Sequence, residues 1–116
     1  MNLKIAKKLS QKSDHTEFKH SCLIVKGGNI LASGFNKGKI HAEINAIGRD
    51  VTATRFKGAT LYSFRFSNRG LANSHPCNNC TKVIAKTGVQ KIVYARVIDG
   101  IVFMEEMRRM SWTNLK

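Results

Sequence analysis

Two short stretches of the chain carry side chains that could bind a transition metal. One alanine separates His41 from Glu43, and two asparagines separate Cys77 from Cys80. Sulfurs three residues apart lie one helical turn apart, so both can reach one ion at about 2.3 Å, while an imidazole nitrogen binds at about 2.0 Å. These residue types and spacings predict a zinc site with three protein ligands, His41, Cys77 and Cys80.

Glu43 gives this predicted site a chemical role. Catalytic zinc with three protein ligands keeps a fourth position for water and lowers the pKa of that water to about 7. A carboxylate two residues after the histidine lies near enough to accept a proton from the water without binding the metal. The sequence therefore predicts hydrolytic chemistry, with Glu43 as the general acid and base.

Two other interpretations of the cysteine motif stay open. His75, which precedes Pro76, could complete a closed structural zinc site, although this leaves Glu43 without a role. Cys77 and Cys80 could instead form a redox pair, because a Cys-x-x-Cys motif at a helix start has a lowered thiol pKa. The redox interpretation uses neither His41 nor Glu43.

Hydrophobic periodicity predicts the elements that position these residues. Helices are expected over 3–12, 41–50 and 76–87, and at Phe103, Met104, Met107 and Met110; strands over 21–25, 30–35, 59–66 and 91–97; and a polar loop over 67–74. Both motifs thus fall at the start of a helix that follows a strand. Strands alternating with helices need crossover connections, which predicts a layered α/β fold with a partly parallel sheet.

With both motifs placed, the chain resembles the cytidine and deoxycytidylate deaminase superfamily of zinc-dependent nucleobase deaminases. The resemblance runs from 21–25 through 34–36 and 41–47 to 76–80 and 92–94. It implies a three-layer α/β/α sandwich with a mixed five-stranded sheet, and so one further strand near the C-terminus. It also implies a single zinc-dependent deaminase domain over residues 1–116, in which Glu43 is catalytic and zinc is the cofactor.

The same resemblance implies an activity and a set of substrate contacts. With a histidine in the first ligand position, the chain is similar to the deoxycytidylate, polynucleotide and tRNA-adenosine deaminases. The reaction that this resemblance implies converts the cytosine of a deoxycytidylate-like nucleotide to uracil with release of ammonia. Asn36, Ala42, Ser74 and His75 are the predicted substrate-binding residues. The alternatives are a deaminase acting on cytosine or adenine in single-stranded DNA or RNA, and a non-catalytic zinc-stabilised nucleic-acid-binding module.

The composition indicates which classes of binding partner the protein can have. The 116 residues include 20 Lys and Arg against 7 Asp and Glu, a net charge of +13 that attracts phosphorylated ligands or polynucleotides without selecting a base. Arg65, Arg69 and Lys39 flank segments expected to border the pocket. No apolar run approaches the roughly 20 residues that a membrane span needs, so no membrane partner is expected, whereas homo-oligomer formation stays open.

The remaining cysteine and histidines receive no chemical role from the sequence. Cys22 lies in an apolar strand and is expected to be a small buried hydrophobe, and His15 and His20 are expected to face solvent. Three cysteines, with two of them in the metal motif, fit a reducing compartment. Because the N-terminal segment also lacks a secretory signal pattern, the sequence predicts a cytoplasmic protein.

Overall fold

The computed structural model describes residues 3–14, 18–48 and 56–108, within which three helices and six strands are found. In chain order they are α1 (Leu3–Ser10), β1 (Lys19–Lys26), β2 (Asn29–Phe35), α2 (Ala42–Ile47), β3 (Thr60–Ser67), β4 (Gly70–Ala72), α3 (Asn78–Ala85), β5 (Lys91–Ile98) and β6 (Ile101–Arg108). No helix in the described ranges is long and apolar enough to cross a membrane.

The strands form one mixed sheet in the order β2-β1-β3-β5-β6, with the short β4 paired to β3. The β3–β5 pair is parallel, and the other pairs are antiparallel. A parallel pair cannot be joined by a tight turn, and here the connection from β3 to β5 runs through β4 and α3. The predicted mixed α/β sheet is confirmed, with five strands along its main path.

Strand alternation sends apolar side chains to both faces of the sheet. On β1, Cys22 and Ile24 are buried against α2 and α3, in a cluster that includes Ala46 and Ile84. Leu23 points to the opposite face and packs with residues of α1 and β3. The helices therefore cover both faces, which confirms the three-layer sandwich.

The predicted C-terminal helix is wrong, because residues 101–108 form β6. Asp99 and Gly100 have φ values of 51° and 78°, the positive values needed in a two-residue hairpin turn whose twist matches that of the strands. Met104 and Met107 pack on opposite faces of the sheet, as strand periodicity requires for an odd spacing. The further strand implied by the family resemblance is confirmed, whereas Met110 lies outside the described residues.

The loop predicted over residues 67–74 contains a strand instead. Ser67 pairs with Gly70 across a two-residue turn, and β4 then runs antiparallel to β3. Beyond β4, the Asn73 Oδ1 atom accepts a hydrogen bond of 2.6 Å from the Val97 amide of β5. The connection between β3 and α3 is thus fixed at both ends, which sets where α3 can begin.

Candidate metal centre and active site

The predicted zinc ligands come together where α2 and α3 begin. His41 is the N-cap residue of α2 and Cys77 is that of α3, while Cys80 lies in the first turn of α3. His41 Nδ1 is 3.2 Å from Cys80 Sγ and 3.8 Å from Cys77 Sγ. One ligand atom from each of the three residues lies within 4.8 Å of the others. A single ion could therefore be held by all three side chains.

The chemistry of this donor set fits zinc. Two sulfurs and one imidazole nitrogen are ligands that zinc prefers. Burial, reinforced by the nearby Glu43 carboxylate, raises the pKa of the Cys80 thiol, so its thiolate form requires a neighbouring cation. The Cys80 amide donates a 3.4 Å hydrogen bond to Cys77 Sγ, which helps to fix the position of this sulfur.

His75, the candidate fourth ligand of a closed zinc site, is not part of this group. Its Nδ1 atom lies 2.7 Å from the Pro76 carbonyl oxygen, and its ring packs edge-on against Tyr94 at 4.8 Å. Among the described residues, the metal-compatible group around His41 contains three side chains. This arrangement favours a site with a position left for water over a closed structural site.

Glu43 lies on the buried side of α2, directly beside the ligand group. Its side chain is only 1% exposed, and its Oε1 atom forms no aligned hydrogen bond with any described residue. His20 Nε2 is 3.0 Å from this oxygen, close enough for an ion pair but poorly oriented for a hydrogen bond. A buried carboxylate oxygen without a hydrogen bond is costly, so its retention next to metal ligands indicates a chemical role.

A cleft of about 460 Å³ opens onto His41, Cys77 and Glu43. This volume lies within the range of small-molecule sites. Lys39 and Arg65 line the cleft as expected, whereas Arg69 is not among the residues that line it. The Arg65 guanidinium lies 4.4 Å from the centre of the Phe18 ring, which holds its charge at the mouth of the cleft.

The four predicted substrate-binding residues divide into two pairs. Asn36 and His75 line the cleft. Ala42 and Ser74 are buried and do not line it. The Ser74 hydroxyl donates to the Ser63 carbonyl and accepts from the Ala95 amide, both at 2.7 Å, which joins β3 to β5. Contact with a substrate stays a prediction for all four residues.

Sequence reasoning missed His20, which lies next to Glu43. The side chain is only 16% exposed, and its burial lowers the pKa of the imidazole, an effect that the Glu43 carboxylate partly opposes. The expectation that His20 faces solvent is therefore wrong. Strand periodicity could have found it, because His20 precedes Cys22 by two residues and shares its face of β1. Cys22 is fully buried, as predicted, and His15 lies outside the described residues.

The chain is similar to known proteins in both sequence and structure. A family model described as the cytidine and deoxycytidylate deaminase zinc-binding region matches residues 2–96. The deoxycytidylate deaminase of Enterobacteria phage T2 is 37% identical over 68 residues, covering 55% of this chain and 30% of that protein. The chain thus aligns with less than a third of the length of this curated relative.

Solved structures extend the similarity over more of the chain. The dCMP deaminase of cyanophage S-TIM5 in its apo form is 29% identical, with a TM-score of 0.58 over 85% of this chain and 82% of that one. The same phage enzyme in complex with dCMP and dUMP is 26% identical, with a TM-score of 0.56 over 78% of this chain and 74% of that one. Both matches agree with the mixed sheet and flanking helices described above.

Proposed function

Because the chain belongs to the cytidine and deoxycytidylate deaminase family, we propose that it hydrolyses the exocyclic amine of cytosine in a deoxycytidylate-like nucleotide. Water replaces the amine, so that the products are the uracil nucleotide and ammonia. The observation that carries this proposal is the juxtaposition of the three-ligand group with the buried Glu43 carboxylate at one cleft. The similarity to phage dCMP deaminases supports a nucleotide substrate.

The mechanism assigns separate tasks to the ligands and to Glu43. His41, Cys77 and Cys80 would hold zinc, which when bound supplies a nucleophile from water at neutral pH. Glu43 accepts the proton of that water on its carboxylate and delivers it to the N3 atom of the base. The carboxylate next takes up the second proton of the attacking water, from the hydroxyl group now on C4, and transfers it to the amine. The C4–N bond breaks as the C4 carbonyl forms, and ammonia leaves as a neutral molecule.

The cleft surroundings support a phosphorylated substrate over a free nucleoside. Lys39 and Arg65 place two positive charges among the lining residues, and no acidic residue other than Glu43 lines the cleft in the described part of the chain. An Arg–phosphate pair is short and often bidentate, so it can fix the orientation of the nucleotide. Asn36 and His75 also line the cleft, which supports the proposal that they contact the base or the sugar.

The proposal is tested by offering the purified protein a panel of substrates at equal concentration. Cytidine, deoxycytidine, dCMP, adenosine and a short single-stranded oligonucleotide are compared, with ammonia release and product base both followed. Turnover of dCMP well above the nucleosides is expected, and Glu43→Gln with unchanged zinc content is the matched inactive control. Turnover of the oligonucleotide alone would exclude the free-nucleotide reaction in favour of a polynucleotide deaminase.

We propose that the protein works in the cytoplasm. Cys22, Cys77 and Cys80 are all free thiols in the structure, which supports a reducing, cytoplasmic setting. We propose that residues 1–116 act as a single domain that can form a homo-oligomer. Size-exclusion chromatography with light scattering would measure the assembly state.

A further inference from the structure

Behind Glu43 lies a chain of polar contacts that the hydrolytic mechanism does not use. His20 Nε2 is 2.7 Å from Ser63 Oγ, and Ser63 Oγ is 2.7 Å from the Ser74 carbonyl oxygen. Ser63 and Ser74 are 0% and 2% exposed, so solvent offers these groups little alternative hydrogen bonding. The chain begins 3.0 Å from Glu43 Oε1.

The direction of these hydrogen bonds follows from the chemistry of the groups. A carbonyl oxygen can only accept, so the single Ser63 hydroxyl proton is donated to Ser74. Ser63 Oγ is then left as an acceptor towards His20. The proton of a neutral His20 ring must therefore be on Nε2, the nitrogen that also faces Glu43.

The backbone of His20 is fixed by a second set of contacts. Asn36 Oδ1 accepts a 2.8 Å hydrogen bond from the backbone N–H of His20, and the backbone N–H of Asn36 donates a 3.1 Å hydrogen bond to the His20 carbonyl oxygen. The Asn36 Nδ2 group also donates to the Phe18 carbonyl at 3.3 Å. Asn36 thereby joins the end of β2 to the start of β1 and fixes the backbone position from which the His20 ring reaches Glu43.

We propose that His20 is a positioning residue for the proposed deamination, whose Nε2–H group holds the Glu43 carboxylate in the orientation needed for proton transfer. The inference rests on the proposed function for its catalytic consequence. In the structure the Nε2–H group is directed at Ser63, and a small rotation of the ring would share it with Glu43 Oε1. Hydrogen bonds at active sites are often poorly aligned without substrate and tighten when it binds.

The hydrogen-bond direction is tested on the wild-type protein without any substrate. Two-bond ¹H–¹⁵N correlation spectra of the imidazole rings distinguish a protonated from an unprotonated ring nitrogen, and the His20 signals are assigned by their loss in His20→Gln. At neutral pH we expect Nε2 to carry the proton and Nδ1 to be bare. Protonation on Nδ1, or rapid exchange between the two tautomers, would overturn the proposal.

The catalytic consequence is tested with two variants matched in size. Gln offers an N–H group at a reach similar to Nε2, whereas Met fills similar space without a donor. We expect His20→Met to lower kcat roughly 10- to 100-fold, the effect of one hydrogen bond to a charged group, with little change in KM or zinc content. His20→Gln should recover most of the loss.

The outcomes separate this inference from the proposed function. Equal kcat in His20→Met and wild type, equal losses in both variants, or loss of zinc in His20→Met would each contradict a positioning role. If His20→Met does not fold, the tautomer measured in wild type still tests the inference, because a proton on Nδ1 would overturn it, and His20→Gln still shows whether the donor alone maintains kcat. If wild type deaminates nothing in the substrate panel, the proposed function fails, while the spectra still show which ring nitrogen of His20 carries the proton.

Discussion

Replacing Gly34 with alanine tests how closely α2 is held against the sheet. Gly34 lies on β2 and, unlike the other eight glycines, does not have a positive φ value. Its backbone conformation is therefore one that any residue can adopt. A Cβ atom at this position would meet the backbone nitrogen of Ala46, the Ala42 oxygen at 2.5 Å and the Ala46 Cα atom at 2.8 Å. Backbone atoms cannot rotate away as a flexible side chain would, so α2 itself must shift.

The size and sign of the effect follow from this contact. The Ala42 oxygen and the Ala46 nitrogen are four residues apart, the acceptor and donor that an α-helix joins. Restoring ordinary contact requires α2 to retreat by roughly 1 Å, and overpacking of this kind costs about 1–3 kcal/mol. If no contact opposed the change, the lower entropy of the unfolded alanine chain would stabilise the protein by about 0.4–1 kcal/mol instead.

Urea unfolding measures the stability change, and turnover of the preferred substrate measures its effect on the site. Because α2 carries His41 and Glu43, a displacement of roughly 1 Å could lower kcat about 100-fold. Ser33→Ala is the matched control, since Ser33 neighbours Gly34 on β2 and its side chain is exposed. A Gly34→Ala protein as stable and active as wild type would refute the close packing of α2 on β2.

Three further predictions concern the site. Glu43→Gln should keep its zinc, measured by atomic emission, yet lose about 10²- to 10⁴-fold in kcat because the general acid and base is removed. Cys80→Ala should bind zinc weakly, so that chelation lowers the Tm of wild type in scanning calorimetry but leaves the variant nearly unchanged. Burial lowers the pKa of His20 in the folded protein, so that on acidification the His20 ring is protonated in the unfolded chain before it is protonated in the folded protein. The free energy of unfolding should therefore decrease as pH falls below about 6.5. The charged or titratable groups that face His20 are Glu43, Arg65 and His41, and all three remain in the His20→Gln variant. Urea titrations of both proteins between neutral and mildly acidic pH should therefore show a smaller decrease in the free energy of unfolding for the variant.

The sequence predicted the ligand group because its information is local. His41 and Glu43 are two residues apart, and Cys77 and Cys80 share one helical turn, so each half of the site is encoded within a short segment. Placing both halves at helix starts then required only the order of elements. The N-cap positions of His41 and Cys77 bear this out.

The two errors have different causes. The spacing of Phe103, Met104 and Met107 fits a helix, but the neighbouring Asp99–Gly100 turn, a local hairpin signal, pairs this segment with β5 and makes it a strand. His20 was missed because it precedes the apolar run of β1 and its partners, on β3 and α2, are distant in sequence. Local polarity indicated exposure, whereas burial depends on how the sheet and helices close around the ring.

The strand order places β2 and β6 at the two edges of the described sheet. Both edge strands expose apolar side chains, among them Ile30 and Leu31 on β2 and Ile101 and Phe103 on β6. Unpaired strand edges of this type can recruit other copies of a chain into aggregates. The +13 charge opposes such encounters by mutual repulsion, and dissolved salt weakens that repulsion. Ionic strength therefore governs the colloidal behaviour of this protein, and concentrated solutions should stay clearest in dilute buffer.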